Sequence, residues 1–120
     1  LLIDTRTRNR FAGRREHLDL KAGHIPGAVN VPERLFHNEG LRTWKSAGEI
    51  REVLFDACLT PDNVQGAIIY SGSGNHSALA LAAMEDAGFT GLRHYVGGWS
   101  QWSANPHNPV ERGDRFTVNG

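Results

Sequence analysis

Four short runs, three of them almost wholly apolar, divide the chain. They lie at 1–4, 28–31, 67–70 and 92–96, and branched aliphatic residues recur in them. Each is closed or followed by a polar residue, a proline or a glycine, as is typical of strands that end at turns. The pattern predicts four strands.

Segments with helical patterning lie between the later strands. Ser46 and Glu49 form a capping-box signature, and apolar residues follow at helical spacing, namely Ile50, Val53, Leu54 and Ala57. A second helix is predicted over 77–87, with Gly88 placed to end it. A short third helix is predicted at 99–102.

The other segments show no regular period. Residues 5–20 are polar and dense in arginine, which predicts a solvated loop. Residues 33–45 form a long connection without a clear structural signal, and from Ser103 onward the chain predicts an irregular tail. We therefore expect one domain over 1–120, with its core at about 1–104.

Strands that alternate with helices predict an α/β fold, with a mainly parallel central sheet and helices on both faces. In such sheets a ligand binds at the carboxyl ends of the strands. Asp4 with Arg6, the loop 71–76 and the segment 97–99 all follow strand ends. We expect them to converge on one site.

Composition narrows the functional classes. The 13 basic and 13 acidic residues balance, so nucleic acid and anionic membranes are not expected partners, and no apolar run reaches a membrane span. The single cysteine, Cys58, excludes an internal disulfide and fits a cytoplasmic location. The six histidines show no paired ligand spacing, so neither a metal nor a cofactor is expected. His76 and His94 are each open to a surface or a site position.

The stretch 67–81 runs from a strand through a glycine-rich loop into a helix. This arrangement aims backbone N–H groups at an anion, because the first N–H groups of a helix lack internal partners. Gly72 and Gly74 let the loop backbone curve around an anion, and we call this curved loop the cradle. Ser71 lies at its edge, in the position of a nucleophile. An ordinary turn between strand and helix is the competing explanation for the loop alone.

Better-known loop motifs do not fit. The dinucleotide fingerprint lacks its third glycine and its later acidic residue, and a P-loop lacks its lysine. Neither Ser71 nor Ser73 has the flanking glycines of a nucleophile elbow. A Cys-x5-Arg phosphatase loop would need cysteine at Ser71 and arginine at Ser77.

Four segments resemble one family in order and spacing: Asp4-Thr5-Arg6, the Gly-His-Ile-Pro-Gly-Ala-Val-Asn-Val-Pro run at 23–32, Tyr70-Ser71-Gly72-Ser73-Gly74 and the Tyr-Val-Gly-Gly-Trp-Ser-Gln-Trp run at 95–102. The chain is similar to a rhodanese-like domain. It most resembles the C-terminal, catalytic half of two-domain thiosulfate or 3-mercaptopyruvate sulfurtransferases. The resemblance implies a fragment of a longer protein, with an N-terminal rhodanese-like domain as partner.

The resemblance also implies roles for individual residues. Position 71 carries a cysteine in the family, which takes up a sulfane sulfur as a persulfide and passes it to cyanide or a thiol. Arg10 matches the arginine that binds the anionic donor. Asp4 and Arg6 match an ion pair that supports the loop, with a catalytic role left open beside the structural one. From its local sequence, His24 is expected to order the turn before Pro26. The donor-binding loop comprises Gly72, Ser73, Gly74, Asn75 and His76.

The loop gives a mixed indication of the donor. Gly72-Ser73-Gly74 resembles the mercaptopyruvate type, whereas Asn75 and His76 depart from the family's usual Val-Thr. Ser71 departs most, because a serine holds no transferable sulfur and its hydroxyl is far less acidic than a thiol. We therefore expect this chain to be inactive as written, either because Ser71 was engineered or because the domain is naturally inactive.

Three functional hypotheses follow. The first is a sulfurtransferase domain disabled at its nucleophile. The second is an inactive rhodanese module that binds an anion or a partner without turnover. The third is a nucleotide-binding βαβ domain, which the loop alone permits but the segments at 23–32 and 95–102 do not favour.

Overall fold

A four-stranded parallel sheet lies at the centre of the fold. The computed structural model describes residues 1–40 and 43–118. Its strands are β1 (Leu2–Asp4), β2 (Val29–Asn30), β3 (Ile68–Tyr70) and β4 (Arg93–His94), and its helices are α1 (Arg8–Ala12), α2 (Ala47–Asp56), α3 (Asn75–Asp86) and α4 (Gly98–Ala104). A 3₁₀ turn spans Glu33–Phe36.

The strand order is β2-β1-β3-β4, and every pairing is parallel. Ile3 lies opposite both Val29 and Ile69, and Ile69 lies opposite His94. All four carboxyl ends therefore meet at one edge of the sheet. This confirms the predicted α/β class and the predicted convergence of the segments that follow the strands.

The two faces of the sheet are covered by different helices. Ile3 and Ile69 are fully buried in a core with residues of α2 and α3. Tyr70, one residue further on, belongs to a second core with Phe11 of α1 and Trp99 of α4. Successive strand residues point to opposite faces, so the helices lie on both sides, as predicted.

The two long helices lie close to their predicted positions. Helix α2 has the predicted capping box, in which Ser46 and Glu49 bond each other's backbone N–H. Helix α3 begins at Asn75, two residues before its predicted start, directly after Gly74 at φ +97°. Gly88, at φ +90°, follows its end in the left-handed region, as predicted.

The arginine-rich segment was predicted as a solvated loop, and this was wrong for part of it. The Thr7 hydroxyl accepts the Arg10 N–H and caps α1, and Gly13 ends it at φ +83°. Five residues with only Phe11 and Ala12 buried are too few to produce a helical period in the sequence.

The ends of the chain also differ from expectation. Helix α4 runs to Ala104, beyond the predicted 99–102. The tail is irregular but lies against the fold, because Asn30 exchanges backbone hydrogen bonds with Phe116 and Val118 and His24 does so with Glu111. Positions 41–42 of the long connection and 119–120 of the tail lie outside the described residues.

Candidate functional site

The candidate site is built on the loop between β3 and α3. Ser71 is fully buried, and its Oγ accepts the backbone N–H groups of Gly74 at 3.2 Å and Ser77 at 3.1 Å. The N–H groups that open a 12-residue helix add partial positive charge at the same place. The loop therefore surrounds the side-chain atom of residue 71 with groups that stabilise negative charge.

A chain of side-chain hydrogen bonds continues from this atom. Ser71 Oγ lies 2.9 Å from Ser77 Oγ, which lies 2.7 Å from His94 Nε2. Ser77 is fully buried, and its hydroxyl also lies within donating distance, 3.2 Å, of the Gly74 carbonyl. Ser77 was not predicted as a site residue, and His94 was left open as either a surface or a site residue.

Helix α4 holds the loop from behind. The backbone N–H groups of Trp99 and Ser100 donate to the carbonyls of Ser71 at 2.8 Å and Gly72 at 2.9 Å. Gly98 adopts φ +56°, and a Cβ there would lie 2.2 Å from the Ser71 carbonyl oxygen. Only glycine permits this close approach, so Gly98 is required for α4 to pack against the loop backbone.

Arg10 reaches the loop from α1. A Cβ added to Gly72 would lie 3.0 Å from Arg10 Nη1, so the guanidinium lies directly over the loop backbone. Its Nη2 donates to the Asp19 carboxylate at 3.1 Å and to both Glu16 oxygens at 3.4 Å. Two carboxylates therefore hold Arg10 in place and offset part of its charge.

Glu16 is itself held by neighbouring groups. Its carboxylate accepts the backbone N–H groups of Leu18 and Asp19. Burial raises the pKa of Glu16, but these N–H groups and the Arg10 guanidinium outweigh burial, so the pKa lies below its ordinary value. The ionised carboxylate is thus the form that orders the segment beside the loop.

Two cavities with shared lining residues lie at the loop and beside it. One, of about 150 Å³, is lined by Arg10, Leu18, Asp19, Gly72, Ser73, Asn75, His76 and Ser100. The other, of about 200 Å³, is lined by Thr5, Arg6, Thr7, Arg10, Pro32, Glu33, Arg34 and His76. Arg10 and His76 line both cavities. A small anion bound in either cavity would therefore lie beside an arginine.

The exposed residues of the loop face these cavities. Ser73, Asn75 and His76 are exposed, whereas Gly72 and Gly74 are buried. His76 Nδ1 lies 3.6 Å from a carboxylate oxygen of Glu33, and the other oxygen of Glu33 contacts His37. His76 therefore lies at the rim, held loosely by Glu33.

Asp4 and Arg6 form a buried ion pair below the loop. Arg6 Nη2 donates to Asp4 Oδ2 at 2.7 Å and to the Gly23 carbonyl at 2.6 Å, and the guanidinium lies 4.9 Å from the Trp99 ring centroid. Burial lowers the pKa of Arg6, but its attraction to Asp4 outweighs burial and the pKa lies above its ordinary value. The pair links three parts of the fold: β1, α4 and the turn that precedes β2.

His24 lies away from the loop, in the second core. It is 2% exposed, stacks on Phe11 at 3.6 Å between ring centroids and contacts the Phe11 carbonyl through Nδ1 at 2.7 Å. Its Nε2 lies 3.3 Å from Glu111. These contacts fix His24 against α1 and the tail. Its ordering of the turn before Pro26 stays a prediction.

The remaining candidates do not join the site. Cys58 is exposed and follows the end of α2. Within residues 1–40 and 43–118, no cluster of three or more histidine, cysteine or acidic side chains could hold a metal ion. No helix in the same ranges is both long enough and apolar enough to cross a membrane.

Fold and site together define an α/β domain in which backbone N–H groups converge on residue 71 at the carboxyl edge of a parallel sheet. The family model for the rhodanese-like domain matches residues 1–105. The chain therefore belongs to the rhodanese-like family.

Its curated relatives are named sulfurtransferases. The putative thiosulfate sulfurtransferase SseB of Mycobacterium tuberculosis is 37% identical over 93% of this chain and 38% of that protein. The probable 3-mercaptopyruvate sulfurtransferase of Pseudomonas aeruginosa is 37% identical over 94% of this chain and 39% of that protein. The chain thus spans less than half the length of these relatives.

Solved structures agree on the fold. The anaerobic ergothioneine biosynthesis enzyme from Chlorobium limicola matches 93% of this chain and 28% of its own, with a TM-score of 0.81 and 25% identity. The Tum1 protein from Saccharomyces cerevisiae matches 95% of this chain and 40% of its own, with a TM-score of 0.79 and 24% identity.

Proposed function

We propose that this chain is a rhodanese-type sulfurtransferase domain in which residue 71 is the position that carries the transferred sulfur. The observation that carries the proposal is the cradle around the Ser71 side chain. Two N–H groups and the start of α3 surround one buried atom, as a thiolate near neutral pH requires. The sulfurtransferase names of the relatives support the same assignment.

The proposed reaction uses a cysteine at position 71. Its thiolate attacks the outer sulfur of thiosulfate, the S–S bond breaks, and sulfite leaves with the bonding electron pair. With 3-mercaptopyruvate the C–S bond breaks instead, and the carbon takes up a proton as pyruvate leaves. Cyanide or a thiol then attacks the outer sulfur of the persulfide, which releases the thiolate for another cycle.

Persulfide chemistry occurs in a similar protein. A solved structure of EanB, 25% identical to this chain with a TM-score of 0.82, contains a cysteine persulfide. Arg10 is the group that we assign to donor binding, since its guanidinium lies over Gly72 and lines both cavities. Gly72, Ser73, Gly74, Asn75 and His76 form the rest of the donor site.

Ser71 makes the present chain inactive in this proposal. Its Oγ already accepts two N–H bonds, so its lone pairs are engaged, and it also shares a hydrogen bond with Ser77 Oγ at 2.9 Å. A hydroxyl is also far less acidic than a thiol with a pKa of about 8.5. The hydrogen bonds around Ser71 are the same whether the serine was engineered in place of a cysteine or is natural to an inactive domain.

The setting of the domain is part of the same proposal. The named relatives are more than twice as long as this chain, so a further rhodanese-like domain on the N-terminal side is the proposed partner. A cytoplasmic location fits the single cysteine.

The alternative function is an inactive rhodanese module that holds an anion or a partner. The intact cradle and the position of Arg10 favour it, because both persist although residue 71 is a serine. In this case the cavities bind a small anion and no sulfur is transferred.

The deciding experiment restores the nucleophile. Ser71→Cys, made in a Cys58→Ser background, is assayed for thiocyanate formation from cyanide with thiosulfate and 3-mercaptopyruvate side by side. We expect activity in this protein and none in the original chain, which also shows that Cys58 does not substitute. Loss of activity in Ser71→Cys/Arg10→Gln supports the role of Arg10. A folded Ser71→Cys protein that is inert with both donors contradicts the sulfurtransferase and leaves the binding module.

A further inference from the structure

Three polar side chains form a continuous hydrogen-bonded line from the cradle to the edge of the sheet. Ser71 Oγ, Ser77 Oγ and His94 Nε2 are separated by 2.9 Å and 2.7 Å. Both serines are fully buried, whereas His94 is half-buried on β4, the strand at one end of the sheet order. The line thus connects a buried atom to a residue that reaches solvent.

We infer that His94, acting through Ser77, is a positioning residue that takes up the proton of the group at position 71. The inference rests on the proposed sulfurtransferase function, because it assigns the route by which a cysteine there becomes a thiolate. Histidine suits this role, since it is the side chain that exchanges protons near neutral pH.

The proton transfer balances over three groups. The thiol at position 71 gives its proton to Ser77 Oγ, while the Ser77 hydroxyl proton passes to the lone pair on His94 Nε2. A thiolate and an imidazolium result, with Ser77 unchanged. This route requires the neutral His94 tautomer that carries its proton on Nδ1. It also requires the Ser77 hydroxyl to donate to His94 Nε2 at 2.7 Å and not to the Gly74 carbonyl at 3.2 Å.

Other charged groups around the loop are less suited to this transfer. Arg10 lies over Gly72 but has no lone pair with which to accept a proton, and Asp19 accepts a hydrogen bond from Arg10. His76 lies at the exposed rim beside Glu33, and Asp4 is paired with Arg6. Arg93 and Tyr95 flank His94 in sequence.

Different groups around residue 71 stabilise the thiolate and remove its proton. The N–H groups of Gly74 and Ser77 stabilise the negative charge once it has formed, but they cannot remove a proton. The Ser77 hydroxyl lies next to the same atom and is the link to His94. Ser77 therefore contributes its backbone to the cradle and its side chain to the proton route.

The first test measures the thiolate fraction against pH in the Ser71→Cys/Cys58→Ser protein, by ultraviolet absorbance and by alkylation rate. We expect the titration midpoint to rise by about one pH unit when Ser77→Ala cuts the line. His94→Gln, which keeps a polar group but cannot hold the proton, should raise it similarly. Ser77→Thr keeps the hydroxyl and should restore the original midpoint, and His107→Gln, in the exposed tail, is the matched control.

A midpoint that stays the same in Ser77→Ala and His94→Gln overturns the inference. The proposed function fails by a different result, namely no thiocyanate from the Ser71→Cys protein, so the two failures are distinguishable. The original chain supplies a second readout that does not depend on folding of the variants. Nitrogen NMR of its neutral His94 should show Nε2 without a proton, and a protonated Nε2 contradicts the proposed route.

Discussion

At the scale of single residues, the buried Asp4–Arg6 ion pair is the contact whose loss should destabilise the fold most. Asp4→Asn keeps the shape of the side chain but removes the near counter-ion of the buried Arg6, which leaves the more distant Glu16 at 3.8 Å. Breaking one side of a buried pair lowers the free energy of unfolding by about 3–5 kcal/mol. Urea unfolding at neutral pH measures the change.

A surface pair provides the comparison. Asp114 accepts hydrogen bonds from Arg8 and Arg14, whose side chains are about half exposed. Water and salt screen such contacts, so Asp114→Asn should change stability far less than Asp4→Asn. Equal losses in the two variants would show that burial does not set the strength of the Asp4–Arg6 pair.

A second prediction at this scale concerns the charge offered to an anion. Asp19 lines the smaller cavity and bonds Arg10, so its negative charge opposes an anionic ligand. Asp19→Asn should tighten thiosulfate binding about threefold to tenfold, which corresponds to roughly 1 kcal/mol. Isothermal calorimetry on the original Ser71 chain measures the affinity.

The matched control for Asp19→Asn is Asp62→Asn, at an exposed turn outside the lining of both cavities. Its affinity for thiosulfate should equal that of the parent. An Asp19→Asn protein that binds no more tightly than this control would indicate that the anion does not lie beside Arg10.

Some site residues could be anticipated from the sequence and others could not. Ser71 was identified because its loop stands between a strand and a helix, and Arg10 because it matches a family pattern. The contact between Ser77 and His94 was not predicted, because it depends on the pairing of β3 with β4, where Ile69 lies opposite His94. Strand register is a tertiary property that the local pattern does not contain.

At the scale of elements, the capping box of α2 gives a prediction. The Ser46 hydroxyl accepts the Glu49 N–H at 3.2 Å, and the Glu49 carboxylate accepts the Ser46 N–H at 3.1 Å. Ser46→Ala removes the side-chain acceptor and should lower the free energy of unfolding by about 1 kcal/mol. Ser46→Asp, another good cap, should retain most of the stability in the same chemical denaturation experiment. A loss as large in Ser46→Asp as in Ser46→Ala would contradict capping as the cause.

The segment after α1 gives a prediction about pH. The pKa of Glu16 is lower in the folded chain than its ordinary value of 4.5, so the unfolded chain binds its proton more readily. The stabilisation is complete above the unfolded value and is lost as pH falls through the lower, folded value. The stability difference between the parent and Glu16→Gln should therefore shrink in acid, as unfolding at a series of pH values would reveal. A difference that stays constant from neutral pH to below 4.5 would contradict this account.

The elements themselves were predictable where burial sets the pattern. The strands form the sheet, and the two long helices between them cover one of its faces. The apolar positions that this packing requires are visible in the sequence. Helix α1 was not visible, because a cap at Thr7, a glycine at 13 and tertiary contacts of Phe11 form it without a repeated apolar face. Short elements of this kind depend on their neighbours more than on their own composition.

At the scale of the whole molecule, the two cores converge on the loop from opposite faces of the sheet. Helix α3 packs in one core and presents its first turn to Ser71, while α4 packs in the other and bonds the loop carbonyls. Binding of an anion over the loop therefore engages both halves of the fold. A ligand that binds only the folded state raises the stability of the entire domain.

The original Ser71 chain should accordingly be stabilised by thiosulfate. At about 100 times the dissociation constant the gain is about 2.7 kcal/mol, measured as a rise in the thermal unfolding midpoint. Arg10→Gln should abolish most of the rise, because its guanidinium lines both cavities. Arg15→Gln, an exposed arginine of the same segment, should retain it. Sodium chloride at equal ionic strength measures the general effect of salt on the unfolding midpoint. An equal rise in the Arg10 and Arg15 variants would show that thiosulfate acts on the solvent and not at the loop.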